Sequence, residues 1–343
     1  MKKVIYTLVI IAVSTLNADA KIWRVNNNAG VVADFNNIAA AVTAAAAGDT
    51  IYIEGSATAY GGSGLAKKLT FIGTGYFLSG ANSNTDLQAN PNPASVGYFG
   101  LDSAASGSVF IGLAGLSLNN ANAAGFGADN ITISRCILNG INIYWTPQAG
   151  TIADNWNINK CYVGNIAGNI GAAQNWNISN NIFTNYLDLS NTGNNNNIVR
   201  NNVFRNSVAM YSGYFANNII SYNISFINVV VKNNVGIGAP GGFSTYVGAN
   251  GNISGYTDAQ VFQGISGNST DGQWRLATGS PAIAAGLTVG AVTTPDAGAF
   301  GGPDPYKLSG IANIPTIYSL TVPASIPSGT NSMTITFSSR NNN

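Results

Sequence analysis

The chain of 343 residues contains no histidine and only two cysteines. A Ser-His-Asp triad therefore cannot form, and neither can a zinc site built from histidines or from a cysteine cluster. Charge is also scarce, since Asp, Glu, Lys and Arg make up 8% of the residues. A nucleic-acid-binding domain is expected to be basic, and a membrane-surface protein to carry a cationic face, so the composition predicts neither kind of partner.

Long apolar runs are missing beyond the first twenty residues. Lys2 and Lys3 precede a mostly apolar run over residues 4–16, and Ala18 and Ala20 form a small-x-small cleavage pattern. The run is shorter than the roughly 20 apolar residues that span a bilayer. The sequence therefore predicts a signal peptide over residues 1–20, no membrane span, and a mature protein that is extracellular or at the cell surface. The periplasm is the alternative location.

Asparagine is strongly enriched, at 48 residues, while 45% of the chain is hydrophobic. A packed core is therefore expected beneath a surface of Asn, Ser, Thr and Gly. Such a surface has little charge repulsion to oppose association. The composition accordingly favours self-association as one kind of interaction.

A six-residue segment recurs through the middle of the chain. Six copies align without gaps, and a looser copy precedes them at 113–118; they cover residues 133–138, 158–163, 178–183, 199–204, 215–220 and 231–236. Their successive starts, counted from 113, are 20, 25, 20, 21, 16 and 16 residues apart. The first position is always apolar, and the fourth is occupied by Leu116, Cys136, Cys161, Asn181, Asn202, Asn218 and Asn234.

This pattern describes two short strands that meet at a bend. One unit cannot bury its own apolar face, so neighbouring units must stack, about 4.8 Å apart as in parallel strands. Stacked Asn side chains at the bend can then satisfy one another as a buried ladder. The repeat predicts a parallel β-helix, in which the two 16-residue spacings represent either tight coils or a slip of the alignment.

Both ends of the chain add a resemblance to a known family. Residues 35–53 combine an Ala-rich amphipathic segment, which Asp34 can cap and Gly48 can end, with a strand that starts at Thr50. Residues 68–75 continue with a second coil, and residues 279–286 and 296–301 look like closing coils. In these segments the chain resembles the pectin-lyase-like superfamily of secreted right-handed parallel β-helices.

The resemblance implies an all-β, right-handed parallel β-helix over residues 21–302, with an N-terminal capping helix. The composition changes at Pro303, and residues 303–343 are expected to form a C-terminal cap or a small appended β segment. Function does not follow from this scaffold, because it hosts lyases, hydrolases, adhesins and other proteins. Enzymatic members use clustered Asp residues, or acidic calcium ligands with an Arg or Lys. No such motif carries over residue by residue.

Asp129 and Asp154 lie at the same offset before their repeats, and Arg135 and Lys160 lie at matching positions within them. Stacking would place the two carboxylates about 5 Å apart. That arrangement suits a calcium site or an acid and nucleophile pair. The alternative is that Ala-Asp-Asn, present at 128–130 and 153–155, is simply a turn.

Trp156 and Trp176 share another column. Outward-facing, stacked indoles would form a platform for sugar binding. Both residues lie two positions before the apolar column, however, so period-two alternation favours the inward face and a role in core packing.

Cys136 and Cys161 occupy the ladder column on successive coils. Strand spacing puts their Cα atoms within the window for a disulfide, and export would allow it to form. Parallel neighbours hold their Cβ vectors side by side, so two stacked, reduced thiols are the alternative.

From these observations we expect a non-catalytic extracellular protein with a structural, glycan-binding or adhesive role. The alternative is a polysaccharide lyase or glycoside hydrolase that acts on an extracellular polysaccharide. No cofactor is expected apart from the calcium considered above.

Overall fold

The apolar residues at the first position of each repeat stack directly on one another in the structure. Ile133 pairs with Ile158, Ile158 with Ile178, and the column continues through Val199, Phe215 and Val231. The two 16-residue spacings are tight coils. The structure is a computed structural model that describes residues 20–119, 127–143, 153–168, 174–190, 196–326 and 328–342. The predicted signal peptide, apart from Ala20, lies outside these residues.

Two long all-parallel sheets confirm the predicted parallel β-helix. Among the described residues, ten strands form the first sheet: Ile22–Val25, Thr50–Ile53, Thr70–Ile72, Val109–Ile111, Thr132–Ser134, Asn157–Asn159, Asn177–Ser179, Ile198–Arg200, Gly213–Ala216 and Val229–Lys232. Thirteen strands form the second: Ser63–Leu65, Tyr98–Leu101, Leu116–Asn119, Ile137–Ile143, Tyr162–Gly168, Ile182–Phe183, Leu187–Leu189, Val203–Phe204, Val208–Met210, Ile219–Ile220, Ile224–Phe226, Val235–Ile237 and Ile253–Tyr256.

The second sheet divides along the stack. The strands Ile137–Ile143 and Tyr162–Gly168 are seven residues long, whereas each of the next three coils has two shorter strands in their place. The branch formed by Leu187–Leu189, Val208–Met210 and Ile224–Phe226 continues the C-terminal halves of the long strands. The apolar core lies between the sheets and contains the inward-facing aromatic and branched side chains of every coil.

A short helix, Ile38–Ala44, packs its buried residues Ile38, Ala41 and Val42 into the core next to the first coils. The prediction that Asp34 caps this helix is wrong. Asn37 is the N-cap and accepts a 2.8 Å hydrogen bond from the Ala40 N–H, while Asp34 accepts one from the Arg24 backbone. The strand Ile22–Val25 also precedes the strand that was expected to be first.

The alignment of the loose copy at 113–118 is wrong by three residues. Phe110 pairs with Ile133, so Phe110 occupies the first position of that coil. The Ile137 N–H donates to the Leu113 carbonyl, as the Tyr162 N–H does to the Cys136 carbonyl. Leu113 is therefore the member of the ladder column in that coil. Leu116 instead pairs with Leu138, which lies two residues after the ladder residue Cys136.

The coil stack ends at Tyr256, and the chain then reverses direction along its outside. Residues 257–312, here called the strap, contain the helix Asp258–Val261 and the 3-10 turns Gly272–Trp274 and Leu308–Gly310. They contain no strand that pairs with either sheet. The prediction of closing coils at 279–286 and 296–301 is therefore wrong, because both segments belong to the strap.

The strap covers one face of the second sheet. Its residues Val261, Phe262, Ala282, Ala297, Ala299 and Tyr306 pack on the fifth-position side chains Ile182, Val203, Ile219 and Val235. Gly298 makes the close approach possible, since a Cβ atom there would lie 2.6 Å from Ile219 Cδ1. The second sheet is thus apolar on both faces at these coils, as expected for a sheet covered on both sides.

Beyond the strap, Thr316–Thr321 and Thr336–Arg340 form a two-stranded antiparallel sheet, the C-terminal hairpin. Cross-strand pairs place Leu320 opposite Phe337 and Thr321 opposite Thr336 on alternate faces. The hairpin joins the rest of the molecule through hydrogen bonds from Ala89 N–H to the Ile317 carbonyl and from Arg340 to the Leu87 carbonyl.

Candidate functional site

The interior of the bend carries a continuous ladder of amides. Asn181, Asn202, Asn218, Asn234 and Asn252 are buried, and each of the first four donates its Nδ2 to the Oδ1 of the next at 2.9–3.1 Å. The backbone N–H of each also donates to the same Oδ1 at 2.9–3.0 Å. Asn252 extends the ladder by one coil beyond the repeats found in the sequence.

Cys136 and Cys161 continue the ladder column as free, buried thiols. The Cys136 N–H donates to Cys161 Sγ at 3.4 Å, and the Cys161 N–H donates to Asn181 Oδ1 at 2.9 Å. Burial, followed by the interaction with the Cys136 thiol, raises the pKa of the Cys161 thiol well above its ordinary value, and the hydrogen bond from the Cys136 backbone opposes this rise. The structure thus shows adjacent reduced thiols, the second of the two arrangements considered for this pair.

Asp129 and Asp154 lie at the other end of the first-sheet strands, in left-handed turns at Asn130 and Asn155. The Asp154 N–H donates to Asp129 Oδ1 at 2.8 Å, and the Gln174 N–H donates to Asp154 Oδ1 at 3.0 Å. Each carboxylate therefore holds the backbone of the following coil. Burial raises the pKa of Asp154, assisted by the charge of Asp129 and opposed by the hydrogen bond from Gln174.

The basic residues of the same repeats have other partners. Arg135 donates to the carbonyls of Ile311 and Asn342, and Lys160 forms an ion pair with Asp304. The predicted combination of Asp129 and Asp154 with Arg135 and Lys160 is thus not assembled. Across the ranges that the structure describes, no group of three or more His, Cys, Asp or Glu side chains could hold a metal ion.

Trp156 and Trp176 stack face to face inside the core. Their ring centroids are 5.0 Å apart, the interplanar angle is 1°, and both side chains are fully buried. Their indole N–H groups donate to the carbonyls of Ala128 and Ala153. A sugar-binding platform needs exposed rings, so the structure contradicts this role for the tryptophan pair.

Sequence reasoning missed a second polar column, which points outward. Six third-position residues adopt positive φ, between 51° and 58°: Arg135, Lys160, Asn180, Asn201, Asn217 and Asn233. These six residues, here called the left-handed column, hold the strap in place. As the strap runs from Ala285 to Ile311, its residues contact coils that lie progressively earlier in the chain. Asn233 bonds Ala285, Asn217 bonds Leu287, Asn201 bonds Asp296, Asn180 bonds Ala299 and Gly301, Lys160 bonds Asp304, and Arg135 bonds Ile311.

Between the left-handed column and the outer face of the first sheet lies a groove of about 160 Å³, here called the amide groove. Its floor consists of first-sheet residues, and its wall of strap residues: Asn157, Asn159, Asn177, Ser179 and Arg200 with Asn180 and Asn201 form the floor, and Val289, Pro303 and Asp304 form the wall. The wall exists only because the strap is pinned there.

The amides of the groove are already ordered before any ligand binds. Asn177 Nδ2 and Asn159 Nδ2 both donate to Asn157 Oδ1, at 3.1 and 3.2 Å, and Ser134 donates to Asn159 Oδ1 at 2.6 Å. Asn177 Oδ1, by contrast, is a buried acceptor without a hydrogen-bond partner within the described part of the chain. A buried acceptor without a partner is rare in a folded protein and calls for an explanation.

No protein-family model, no curated protein and no solved structure matches this chain. Among the described residues, no helix is both long and apolar enough to cross a membrane. The fold and the groove therefore define the molecule as a parallel β-helix protein with an amide-lined surface site.

Proposed function

We propose that this is an extracellular, non-catalytic β-helix protein of the pectin-lyase-like type that binds a glycan in the amide groove. The observation that carries the proposal is the buried, unpartnered Asn177 Oδ1 among ordered amides. Each amide offers a donor and an acceptor, and adjacent sugar hydroxyls need both. A neutral saccharide also meets little electrostatic opposition here, because Asp304 is neutralised by Lys160.

Binding is favoured over turnover by the number of carboxylates. Paired-carboxylate glycoside hydrolysis needs two carboxyl groups about 5–9.5 Å apart, flanking the bond to be cleaved. The lining of the amide groove contributes one, Asp304, and its charge is engaged by Lys160.

The proposal is tested with a panel of neutral oligosaccharides and the Asn177→Thr variant. Threonine occupies the same column at Thr132, so the coil accepts it. Loss of the amide should weaken binding about tenfold, the loss of roughly one well-made hydrogen bond. Asn185→Thr, in the exposed turn between the second-sheet strands Ile182–Phe183 and Leu187–Leu189, serves as the matched control. Equal affinity of the two variants, or no saccharide binding by the native chain, would refute the proposal.

The enzymatic alternative rests on Arg200 and Asp304, a base and an acid that line the same groove. An active lyase or hydrolase would release new chain ends from an extracellular polysaccharide, and Asp304→Asn would abolish that release. Binding by Asp304→Asn without any turnover by the native chain is what the non-catalytic proposal expects.

A further inference from the structure

A second cavity, here called the basic cleft, lies where the strap meets the C-terminal hairpin. It has a volume of about 200 Å³ and is lined by Leu87, Lys307, Leu308, Ile311, Arg340 and Asn342. It shares no lining residue with the amide groove. An apolar cavity of about 150 Å³ is large enough to accept benzene, so the basic cleft is large enough for one ring or a short acyl chain.

Positive charge is concentrated around this cleft. Of the 14 basic residues in the sequence, Lys307 and Arg340 line it and Arg135 lies behind it. The Arg135 guanidinium donates to the carbonyls of Ile311 and Asn342 at 2.7 and 2.9 Å, and Arg340 donates to the Leu87 carbonyl at 2.7 Å. Carbonyl partners hold these side chains in place but leave their charge uncompensated.

No acidic side chain that the structure describes pairs with the cluster: the charge of Asp304 acts on Arg135, but Asp304 itself forms its ion pair with Lys160. Within the described ranges, Arg135, Lys307 and Arg340 form no ion pair. The ion pairs there join Arg24 to Glu54, Lys160 to Asp304 and Arg205 to Asp258. Asp271 lies below the Leu308–Gly310 turn, where its oxygens accept hydrogen bonds from Asn84, Ser269, Tyr306 and Ser309. Asp86 precedes Leu87, but its side chain is exposed to solvent.

We propose that the basic cleft binds a small organic carboxylate with an apolar body. The apolar body would contact Leu87, Leu308 and Ile311, and the carboxylate would accept hydrogen bonds from Lys307 and Arg340. Charge complementarity requires an anion, and charge-assisted hydrogen bonds are the stronger kind. The apolar walls select against a small, strongly hydrated anion, which would gain nothing from contact with them.

Three probes separate the contributions of charge and apolar contact. Benzoate carries both features, benzyl alcohol only the ring, and inorganic phosphate only the charge. Titrations of the full chain, followed by ¹H–¹⁵N NMR, should show saturable binding of benzoate with shifts at Leu308, Ile311 and Arg340. Benzyl alcohol and phosphate should each bind at least about tenfold more weakly.

Charge variants assign the site. Lys307→Gln and Arg340→Gln should each raise the benzoate Kd about tenfold, and Arg340→Lys should recover part of the loss. Arg275→Gln removes an exposed cation elsewhere on the strap and should leave the Kd unchanged. A melting curve identifies any variant that fails to fold. If the Arg340 variants do not fold, the benzoate Kd of Lys307→Gln alone tests the proposal.

Phosphate that binds as tightly as benzoate, benzyl alcohol that binds equally well, or a benzoate Kd that Lys307→Gln does not change would each overturn the proposal. These results bear only on the basic cleft, since saccharide binding in the amide groove is measured with different ligands and variants.

Discussion

At the scale of single residues, the ladder amides use almost every hydrogen-bonding position they have. Asn202 Oδ1 accepts from the backbone and side-chain N–H groups of Asn181. The two hydrogens of its Nδ2 are shared among three acceptors, the carbonyls of Ile178 and Arg200 and Asn218 Oδ1. A buried amide so fully engaged stabilises the fold mainly because its removal would leave partners without hydrogen bonds.

Asn202→Ala should therefore lower the free energy of unfolding by about 3 kcal/mol or more, because several buried groups lose their partner at once. Urea unfolding measures the loss. Asn185→Ala, at an exposed turn, should change it by less than about 0.5 kcal/mol. Similar values for the two variants would mean that the ladder contributes no more than an exposed turn residue.

Cys161→Asn should maintain or raise stability, because the new amide would take the place that Asn181 occupies in the next coil. Cys161 Sγ lies 3.7 Å from the Ile133 carbonyl and 3.2 Å from the Asn159 carbonyl, where an amide would donate. The gain is expected to reach about 1 kcal/mol. Cys161→Ala is the comparison, and an Asn variant that is no more stable than the Ala variant would contradict this reasoning.

At the scale of an element, the turns before the first-sheet strands use Asp129 and Asp154 as acceptors for the next coil. Asn keeps the acceptor and removes the charge. Because burial raises the pKa of Asp154, ionisation opposes folding there, so a neutral side chain has no electrostatic cost at pH 7.

Replacing both Asp129 and Asp154 by Asn should leave the melting temperature nearly unchanged, with or without calcium. A specific ion would stabilise the native state according to its affinity. Calcium titration with melting curves makes the measurement. A calcium-induced rise in the native protein that is lost in the double variant would establish the metal site instead.

The strap is tied to the N-terminal coils by buried phenols. The hydroxyls of Tyr76 and Tyr306 are 2.7 Å apart. Burial is the main reason that the pKa of each lies well above 10.0; the charge of Asp271 follows for Tyr76, and the charges of Tyr76 and Asp271 follow for Tyr306. Above about pH 10 the unfolded phenols lose protons that the folded ones retain, so stability should fall as the pH rises.

Tyr306→Phe tests this dependence. The variant removes one of the phenols whose pKa is raised by burial, so its stability should decrease less steeply between about pH 10 and 11.5 than that of the native protein. Denaturant unfolding at each pH provides the measurement. Parallel curves for the two proteins would show that other groups control the alkaline transition.

Sequence predicted the elements whose pattern is local and repeated. The apolar first position and the polar fourth position specify the first sheet and the ladder, because inward-facing residues must match between stacked coils. The strap was missed, although the fifth position is apolar at Ile182, Val203 and Ile219, next to an inward-facing sixth position. Apolar residues on both faces of a strand indicate a covering layer, but they do not say which segment supplies it.

The candidate site depends on the strap, the covering layer that the sequence analysis did not predict. The asparagines of the groove were visible in the sequence, but the wall of Val289, Pro303 and Asp304 comes from a segment 88 to 147 residues further along the chain. Trp156 and Trp176 do not form a binding platform, because both side chains point into the core, as the period-two alternation predicts. Periodicity thus predicts which residues face the core, whereas the surface site depends on contacts between segments that are distant in sequence.

At the scale of the whole molecule, the charged and apolar features at residues 2–20 predict export, and export would bring the amide groove into contact with extracellular ligands. N-terminal sequencing of exported protein should begin at Lys21, after the Ala18-x-Ala20 pattern. The double variant Lys2→Gln, Lys3→Gln removes the positive charges that precede the apolar run, so the protein should be exported less efficiently. Exported protein that still begins at Met1 would refute the prediction.

The pinning of the strap to six successive coils also changes how the molecule comes apart. A bare solenoid is quasi-one-dimensional, so its terminal repeats can fray while the middle stays intact. Here the coil at Asn233 and the coil at Arg135 are held by one continuous segment. Unfolding of any coil between Arg135 and Asn233 must break part of this lengthwise seam, so loss of one of these six coils is coupled to loss of the others.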